Sequence, residues 1–457
     1  MFMKKSKMLQ PPRFKLEKPN LSKVNRGKVF RVVEKYPAKY RKFLEKANAP
    51  NYTYWDKFKY KFQDDILNLE ELWYLIRQFR NISSIEIPIK AESGDFFKWL
   101  RLPSTEEHLH TIDMLAGGQL FPHPNIISQS NQQAFISRGI IEEAIASSQL
   151  EGAHTTRAVA KRMIIENRKP RNESEKMILN NYETINTIEE DYKNKELSLN
   201  LLFEIHKMLT KGTIKKTEQN RLRINKDEIV VSGQIGSDQV LSHFPPDESF
   251  VKNEVIRLIA YANDQSNHRF THPIIKAIFL HFWIGYLHPF TDGNGRLARA
   301  IFYWYLLRKG YWTFTFIPIS TVIKKAPSQY ALAYIYAEQD NLDITYFYDF
   351  HVRKVLQAIE DFKLYLSLKI KENQTVDRII SKKVRLNERQ RQLIHYFISD
   401  PNPSTTVSSH SMINNIARQT AAKDLKELKS VNFLYSKKEG KYIRYYPSSI
   451  LIEMAKR

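Results

Sequence analysis

The stretch His288-Pro-Phe-Thr-Asp-Gly-Asn-Gly-Arg-Leu-Ala-Arg299 gathers one imidazole, one carboxylate, two glycines and two guanidinium groups within twelve residues. A helix beginning near Asn294 leaves its first backbone N–H groups without intrahelical partners. Gly293 and Gly295 let that backbone approach an oxyanion, so the loop reads as a phosphate cradle at a positive helix end. Arg296 and Arg299 are three apart and project to one side of the helix, where guanidinium groups can clamp further phosphate oxygens. Asp292 is the only carboxylate in the loop. It suits Mg²⁺, which takes one or two protein oxygens and fills its sphere with water and phosphate oxygens. His288 is the one group there that can accept a proton near neutral pH. The set describes a nucleotide-phosphate site with a base beside it.

Two buried helices must position these groups. "HPIIKAIFLHFWIGYLHPF" is apolar nearly all round from Ile274 to Leu287, too short to span a membrane, and reads as a central helix ending at His288. "NGRLARAIFYWYLLRKG" opens a second, closed by Lys309-Gly310. Upstream, "ISRGIIEEAIASSQLEGA" sets Ile136, Ile140, Ile141, Ala144 and Ile145 in one apolar stripe, and "NLLFEIHKMLTKG" repeats the helical pattern. Between them, Ile229 to Val231 and Gln239 to Leu241 flank a Gly-containing turn, the signal of a β-hairpin inside a helical domain.

The chain has 457 residues, no cysteine and no apolar run long enough to cross a membrane, which excludes disulfides, thiolate metal sites and a Cys nucleophile. The formal charge of +22 sits at the ends. Residues 1–50 hold 15 Lys and Arg against 3 Asp and Glu, residues 376–457 hold 16 against 7, and the middle is nearly neutral. A neutral body with basic flanks suggests appended surfaces for nucleic acid or an acidic partner. The expected organisation is a basic N-terminal segment (1–50), an N-terminal helical region (51–130), a catalytic domain (131–375) and a C-terminal domain (376–457), in a cytoplasmic protein with no membrane partner. "DPNPSTTVSSHS", residues 400–411, reads as a linker.

The signature resembles that of the Fic family, His-Pro-Phe-x-x-Gly-Asn-Gly-Arg-x-x-Arg, with every fixed position met. "SSQLEGAHTTRAVAKRMI", "NRLRINKDEIVV" and "HFPPDE" are similar to parts of longer bacterial Fic proteins. The resemblance implies a mainly α fold, a helical bundle with a small β-hairpin flap. It also implies a protein adenylyltransferase using ATP and Mg²⁺. His288 would deprotonate a Tyr, Thr or Ser hydroxyl of a target protein, or of the chain itself. Asp292 would hold Mg²⁺; Gly293, Asn294, Gly295 and Arg296 would cradle phosphates, and Arg299 would reach the γ-phosphate. The hairpin would align the target, and Tyr330 would flank the adenosine. "SSQLEG" fits the family's inhibitory motif, with Ser147 and Glu151 in the marked places: a carboxylate paired with Arg299 would occupy the guanidinium that the γ-phosphate needs.

The C-terminal region reads as amphipathic helices, one of them placing Ile416, Ala417, Ala421, Leu425 and Leu428 on a core side, followed by a hairpin turning at Glu439-Gly440. This resembles a winged helix-turn-helix. Arg418, Gln419, Thr420 and Lys423 would lie on its exposed face and Lys437, Lys438, Lys441 and Arg444 on the wing, a surface for DNA or for protein docking. His108 and His110 lack a third metal ligand, and His272 and His281 read as structural. The alternatives to a self-restrained transferase are a DNA-binding regulator with a ligand-sensing body and an AMP-removing enzyme. Self-association is left open.

Overall fold

In the computed structural model, the described residues are 2–4, 12–116, 129–265, 270–379, 384–400, 402–439 and 442–456. The central helix Pro273–Leu287 forms because His272 caps it, its Nδ1 accepting from the Ile274 N–H at 3.3 Å, and Pro273 occupies the first turn without needing a donor. Apolar on every side, it is buried on every side. It stops where His288 turns left-handed (φ 47°) ahead of Pro289, which cannot continue a helix. The signature helix Asn294–Arg308 packs along it, filling the core with Trp283, Trp304, Phe279, Phe282 and Phe290.

Around this pair, Gln129–Leu150, which carries Ser147 and ends beside Glu151, is tied down by a buried carboxylate. Glu143 accepts from Tyr303 Oη at 2.8 Å and from the Ser320 N–H at 2.9 Å. Ile140, Ile141, Ala144 and Ile145 are buried as the stripe requires; Ile136 lies outside the described side chains. The hairpin Ile229–Ile235 and Asp238–His243 turns at Gly236-Ser237 and lies against the helix Pro327–Gln339.

The first fifty residues, for all their charge, contribute Leu16, Val29, Tyr40 and Ala47 to the same core as the central helix. They are held there by Arg80 on the helix Leu69–Ser83. Buried, it donates to Asn48 Oδ1 at 3.0 Å and to Tyr346 Oη at 2.9 Å, and lies 3.7 Å from the Tyr52 ring centroid. Residues 51–130 include an unforeseen antiparallel hairpin, Ile85–Lys90 with Phe96–Trp99.

The helix Thr345–Ile379 runs through the expected boundary at 375, and its Val376 enters a second core with Leu393, Ile394, Phe397, Leu425, Leu428 and Leu451. That unit is ordered as Glu388–Ser399, Val407–Ile413, Arg418–Ser430, a hairpin Leu434–Glu439 with Tyr442–Pro447, and Ser449–Lys456. Two expectations are corrected here. The linker-like run is partly helical, with Ser409 and His410 buried. The following helix begins only at Arg418, because Asn415 turns left-handed (φ 46°) and leaves Ala417 exposed as its cap. The unit is not detached: Met412 packs into a cluster with Ile141, Ile145, Ala153 and Met163. Among the described residues, no helix is long and apolar enough to cross a membrane.

Candidate functional site

His288 is the hinge between the two buried helices. A positive φ is costly for a residue with a Cβ and is kept here by its surroundings. Its N–H donates to Ile284 O at 2.9 Å, and its carbonyl accepts from Arg223 Nε at 2.7 Å. Arg223 also donates to Pro246 O at 2.5 Å and Leu287 O at 3.2 Å, so one buried guanidinium holds three carbonyls that converge below the base. Burial, with the neighbouring His243 and Arg223 as further causes, pushes the His288 imidazole down to about 3. The resting base is therefore neutral at physiological pH.

Gly293 caps the signature helix in a left-handed turn (φ 82°), and no side chain caps that end. A Cβ at Gly293 would meet Thr210 Cγ2 at 2.7 Å. The Asn294 side chain faces inward, accepting from the Phe290 N–H at 2.9 Å and donating to Phe290 O at 2.8 Å, so it shapes the loop. Arg296, expected on phosphate, is fully buried. Its Nη1 donates to Leu209 O at 2.8 Å, which ties the loop to the end of the helix Leu199–Leu209. Its Nη2 faces Asp292 Oδ2 at 3.4 Å.

Arg299 is buried too, and it is engaged. Nε donates to Ser147 Oγ at 2.7 Å, and Nη2 donates to Ser147 O and to Glu151 Oε1, each at 2.9 Å. Burial alone would raise the Glu151 carboxyl; the adjoining Arg299 charge and hydrogen bond outweigh it and hold it below the usual carboxylate range. The carboxylate lies directly on the signature turn: a Cβ at Gly295 would stand 2.6 Å from the Glu151 carboxyl carbon. Sequence reasoning thus paired Glu151 with Arg299 but missed that Gly295 makes room for it.

Beside these groups is a cavity of about 580 Å³ between the hairpin and the helix Pro327–Gln339, lined by Glu151, Gly233, His288, Gly295, Tyr330 and Tyr334 among others. Tyr330 is partly buried at its wall, with Oη 2.9 Å from His281 Nε2. Asp292 Oδ1 accepts from its neighbour's N–H, that of Gly293, at 2.6 Å, and the side chain is 31% exposed. Among the described residues, no group of three His, Asp or Glu could hold a metal by itself. A single accessible carboxylate fits Mg²⁺ only if phosphate and water supply the other ligands.

Three further residues support the site without a motif to flag them: Arg223, the buried Thr210, and His206. The His206 ring stacks on Phe290 at 3.7 Å, and its Nε2 lies 2.8 Å from Asp292 O. Burial pushes His206 down to about 4, so it is neutral and can serve as the donor to that carbonyl. His108 and His110 lie on the helix Pro103–Met114, away from this cavity's lining.

Residues 196–306 match the family model of the Fic/DOC family. A protein adenylyltransferase Fic of Culex quinquefasciatus is 22% identical over 221 residues, which are 48% of this chain and 40% of that protein. The protein adenylyltransferase fic-1 of Caenorhabditis elegans is 30% identical over 117 residues, 25% of this chain and 22% of that protein. The chain thus spans less than half the length of either relative. Among solved structures, a Fic family protein from Desulfovibrio desulfuricans G20 is 17% identical with a TM-score of 0.44, over 76% of this chain and 94% of that one. The span that matches the Fic/DOC family model contains most of the signature helix and all of the central one, and with them His288 and Arg299.

Proposed function

We propose that the protein is an adenylyltransferase that moves AMP from ATP to a hydroxyl of a target protein, and that Glu151 restrains it. The observation that carries this reading is the Glu151–Arg299–Ser147 contact, lying on Gly295 at the open end of a helix and next to a neutral His288. In the reaction, His288 takes the proton of a Tyr, Thr or Ser hydroxyl. The freed oxygen bonds to the α-phosphorus, and the bond from that phosphorus to the β-phosphate oxygen breaks, releasing pyrophosphate. A resting value near 3 makes the imidazole a weak base; the negative phosphates brought in by ATP favour its protonated form and raise it. The Gly293–Gly295 backbone cradles phosphate oxygens, and Arg299, once released, takes the γ-phosphate. Mg²⁺, held by Asp292 and phosphate oxygens, would neutralise charge on the α- and β-phosphates. The adenosine lies between the hairpin and Tyr330. Arg223 and His206 act on the base and the loop, while Arg296, anchored to Leu209 O, would add its charge beneath the phosphate cradle.

Incubating the Glu151→Gly protein and its His288→Ala derivative with α-labelled ATP, Mg²⁺ and cell lysate tests the reading. Labelled protein bands with the first and none with the second are expected; equal labelling by both would sink it.

A second reading concerns the C-terminal unit, whose helix–helix–helix–hairpin order supports its resemblance to a winged helix. Arg418, Gln419 and Lys423 are exposed on the helix Arg418–Ser430, as are Lys437 and Lys438 on the hairpin. Arg444, expected on the wing, is drawn toward Glu439 at 3.4 Å and Glu166 at 3.8 Å, and Lys441 lies outside the described residues. Duplex DNA is the ligand this basic face fits. Binding that falls steeply with salt, by a slope reduced in Lys437→Ala/Lys438→Ala, would support it; no binding at low ionic strength would leave protein docking.

A further inference from the structure

Both edges of the hairpin beside the cavity are taken by the chain's own first residues. Along the strand Ile229–Ile235, residues Phe2–Lys4 pair antiparallel, with Phe2 opposite Val231, Met3 opposite Val230 and Lys4 opposite Ile229. Along the strand Asp238–His243, Leu241 O accepts from the Phe14 N–H and the Leu241 N–H donates to Pro12 O, both at 3.0 Å, in a parallel bridge at Arg13.

The two attachments differ in how firmly they are held. Residues 12–17 are pinned: Gln339 donates to Phe14 O and accepts from the Leu16 N–H, both at 3.0 Å, and Leu16 is buried. Tyr54 Oη donates to Glu17 O at 3.0 Å, and the Arg13 guanidinium lies 4.9 Å from the Phe244 ring centroid. Residues 2–4 form a ladder of three pairs. So short a ladder is easily undone.

A sheet edge is a template for an added strand. With the Asp238–His243 edge closed by a pinned segment, the Ile229–Ile235 edge is where an incoming chain can add, and its Val231, Ser232 and Gly233 line the cavity. The family resemblance already implies that the hairpin aligns the target; we propose that residues 2–4 are an in-chain competitor, occupying the Ile229–Ile235 edge along which an extended segment of the target would pair, so that the target must displace them. The proposal rests on reading the protein as one that modifies a target hydroxyl. Only seven residues separate the ladder from its anchor, so the competitor acts at an effective concentration on the order of millimolar. It restrains access of the target, whereas Glu151 restrains the nucleotide, and the two can be lifted separately.

The chain has no cysteine, so a single engineered pair reports cleanly. Lys4 and Ile229 are opposite one another, and Cα atoms across an antiparallel pair are about 4.5–5.5 Å apart, within reach of a disulfide. In the Glu151→Gly protein, Lys4→Cys/Ile229→Cys is oxidised and assayed with α-labelled ATP and lysate, beside a control pair, Ile235→Cys/Asp238→Cys, across the hairpin itself and outside the cavity lining. We expect an intrachain bond by mass, labelling of lysate proteins lowered roughly tenfold, recovery on reduction, and unchanged binding of a fluorescent ATP analogue throughout. Deleting residues 2–11 while keeping 12–17 should raise labelling several-fold. The proposal is overturned if the control pair closes and the Lys4/Ile229 pair does not, or if the bond forms and labelling is unaltered. Absence of labelling in the reduced protein would instead overturn the transferase reading, and the bond would still report whether the strand is there.

Discussion

Arg299 Nη2 and Glu151 Oε1 meet at 2.9 Å, with side chains 4% and 13% exposed. So little water reaches the pair that its rupture is expensive, and under the proposed function the same rupture is what a triphosphate would require. Stability and activity would then be set against one another at one contact.

Glu151→Gly should raise AMP transfer at least tenfold while lowering the melting temperature. Removing one partner of a buried ion pair typically costs about 3–5 kcal/mol, and the remaining Ser147 contacts bring this one toward the lower end. Arg299→Ala should lower stability without activating. Thermal melts and α-labelled ATP incorporation, measured on the same preparations, check both; a Glu151→Gly protein that is folded and no more active would refute the restraint.

The pH dependence follows from the depressed Glu151 carboxyl. A carboxylate whose folded value lies below its unfolded one stabilises fully above the unfolded value, about 4.3, and loses that contribution as pH falls through the folded value. The stability gap between the wild type and Glu151→Gln should stay constant from neutral pH down to about 5 and then narrow with further acidification. Denaturant titrations across this range would show it, and a gap that widens in acid would contradict the assignment.

Gly295→Ala should destabilise the wild type, because its Cβ collides with the Glu151 carboxyl, and should do so far less in Glu151→Gly. A double-mutant cycle with a coupling of at least about 1 kcal/mol is expected for groups in such contact. Additive effects would mean that the turn relaxes instead.

His288→Ala should lower transfer by about 10²–10⁴-fold, the usual yield of general base catalysis, with ATP affinity nearly intact. Because position 288 is left-handed, His288→Asn is the better-folded control, since Asn tolerates that conformation. Comparable labelling by either variant would remove the base from His288.

Asp292→Ala should lose most transfer and regain part of it at raised Mg²⁺, since phosphate oxygens still supply ligands. A Mg²⁺ titration with the same midpoint as the wild type would count against the metal role.

Much of this site is written in local spacing. Glycine at 293, proline at 289 and the apolar faces on both sides dictate two helices and an open helix end, whatever else the chain does. The partners of the arginines are not local. Arg296 and Arg299 look alike in sequence and are both buried, yet one is held by the carbonyl of Leu209, 87 residues away, while the other is held by Ser147 and Glu151. Arg223 gave no signal, since three backbone carbonyls attract a guanidinium without leaving a motif. Charge misled at the N-terminus in the same way: the helices Arg26–Lys35 and Pro37–Asn48 each hide a narrow stripe, Val29 on one, Tyr40 and Ala47 on the other, beneath many lysines.

The placing of Met412 among Ile141, Ile145 and Met163 has one more consequence. The helix that delivers Glu151 rests partly on a side chain from a unit with a separate core. If a ligand of that unit draws Met412 away, the helix loses apolar contact and its grip on Arg299 weakens. Thermodynamic reciprocity then requires the converse: under the proposed function, ATP that evicts Glu151 would alter, by the same factor, how tightly the C-terminal unit holds such a ligand.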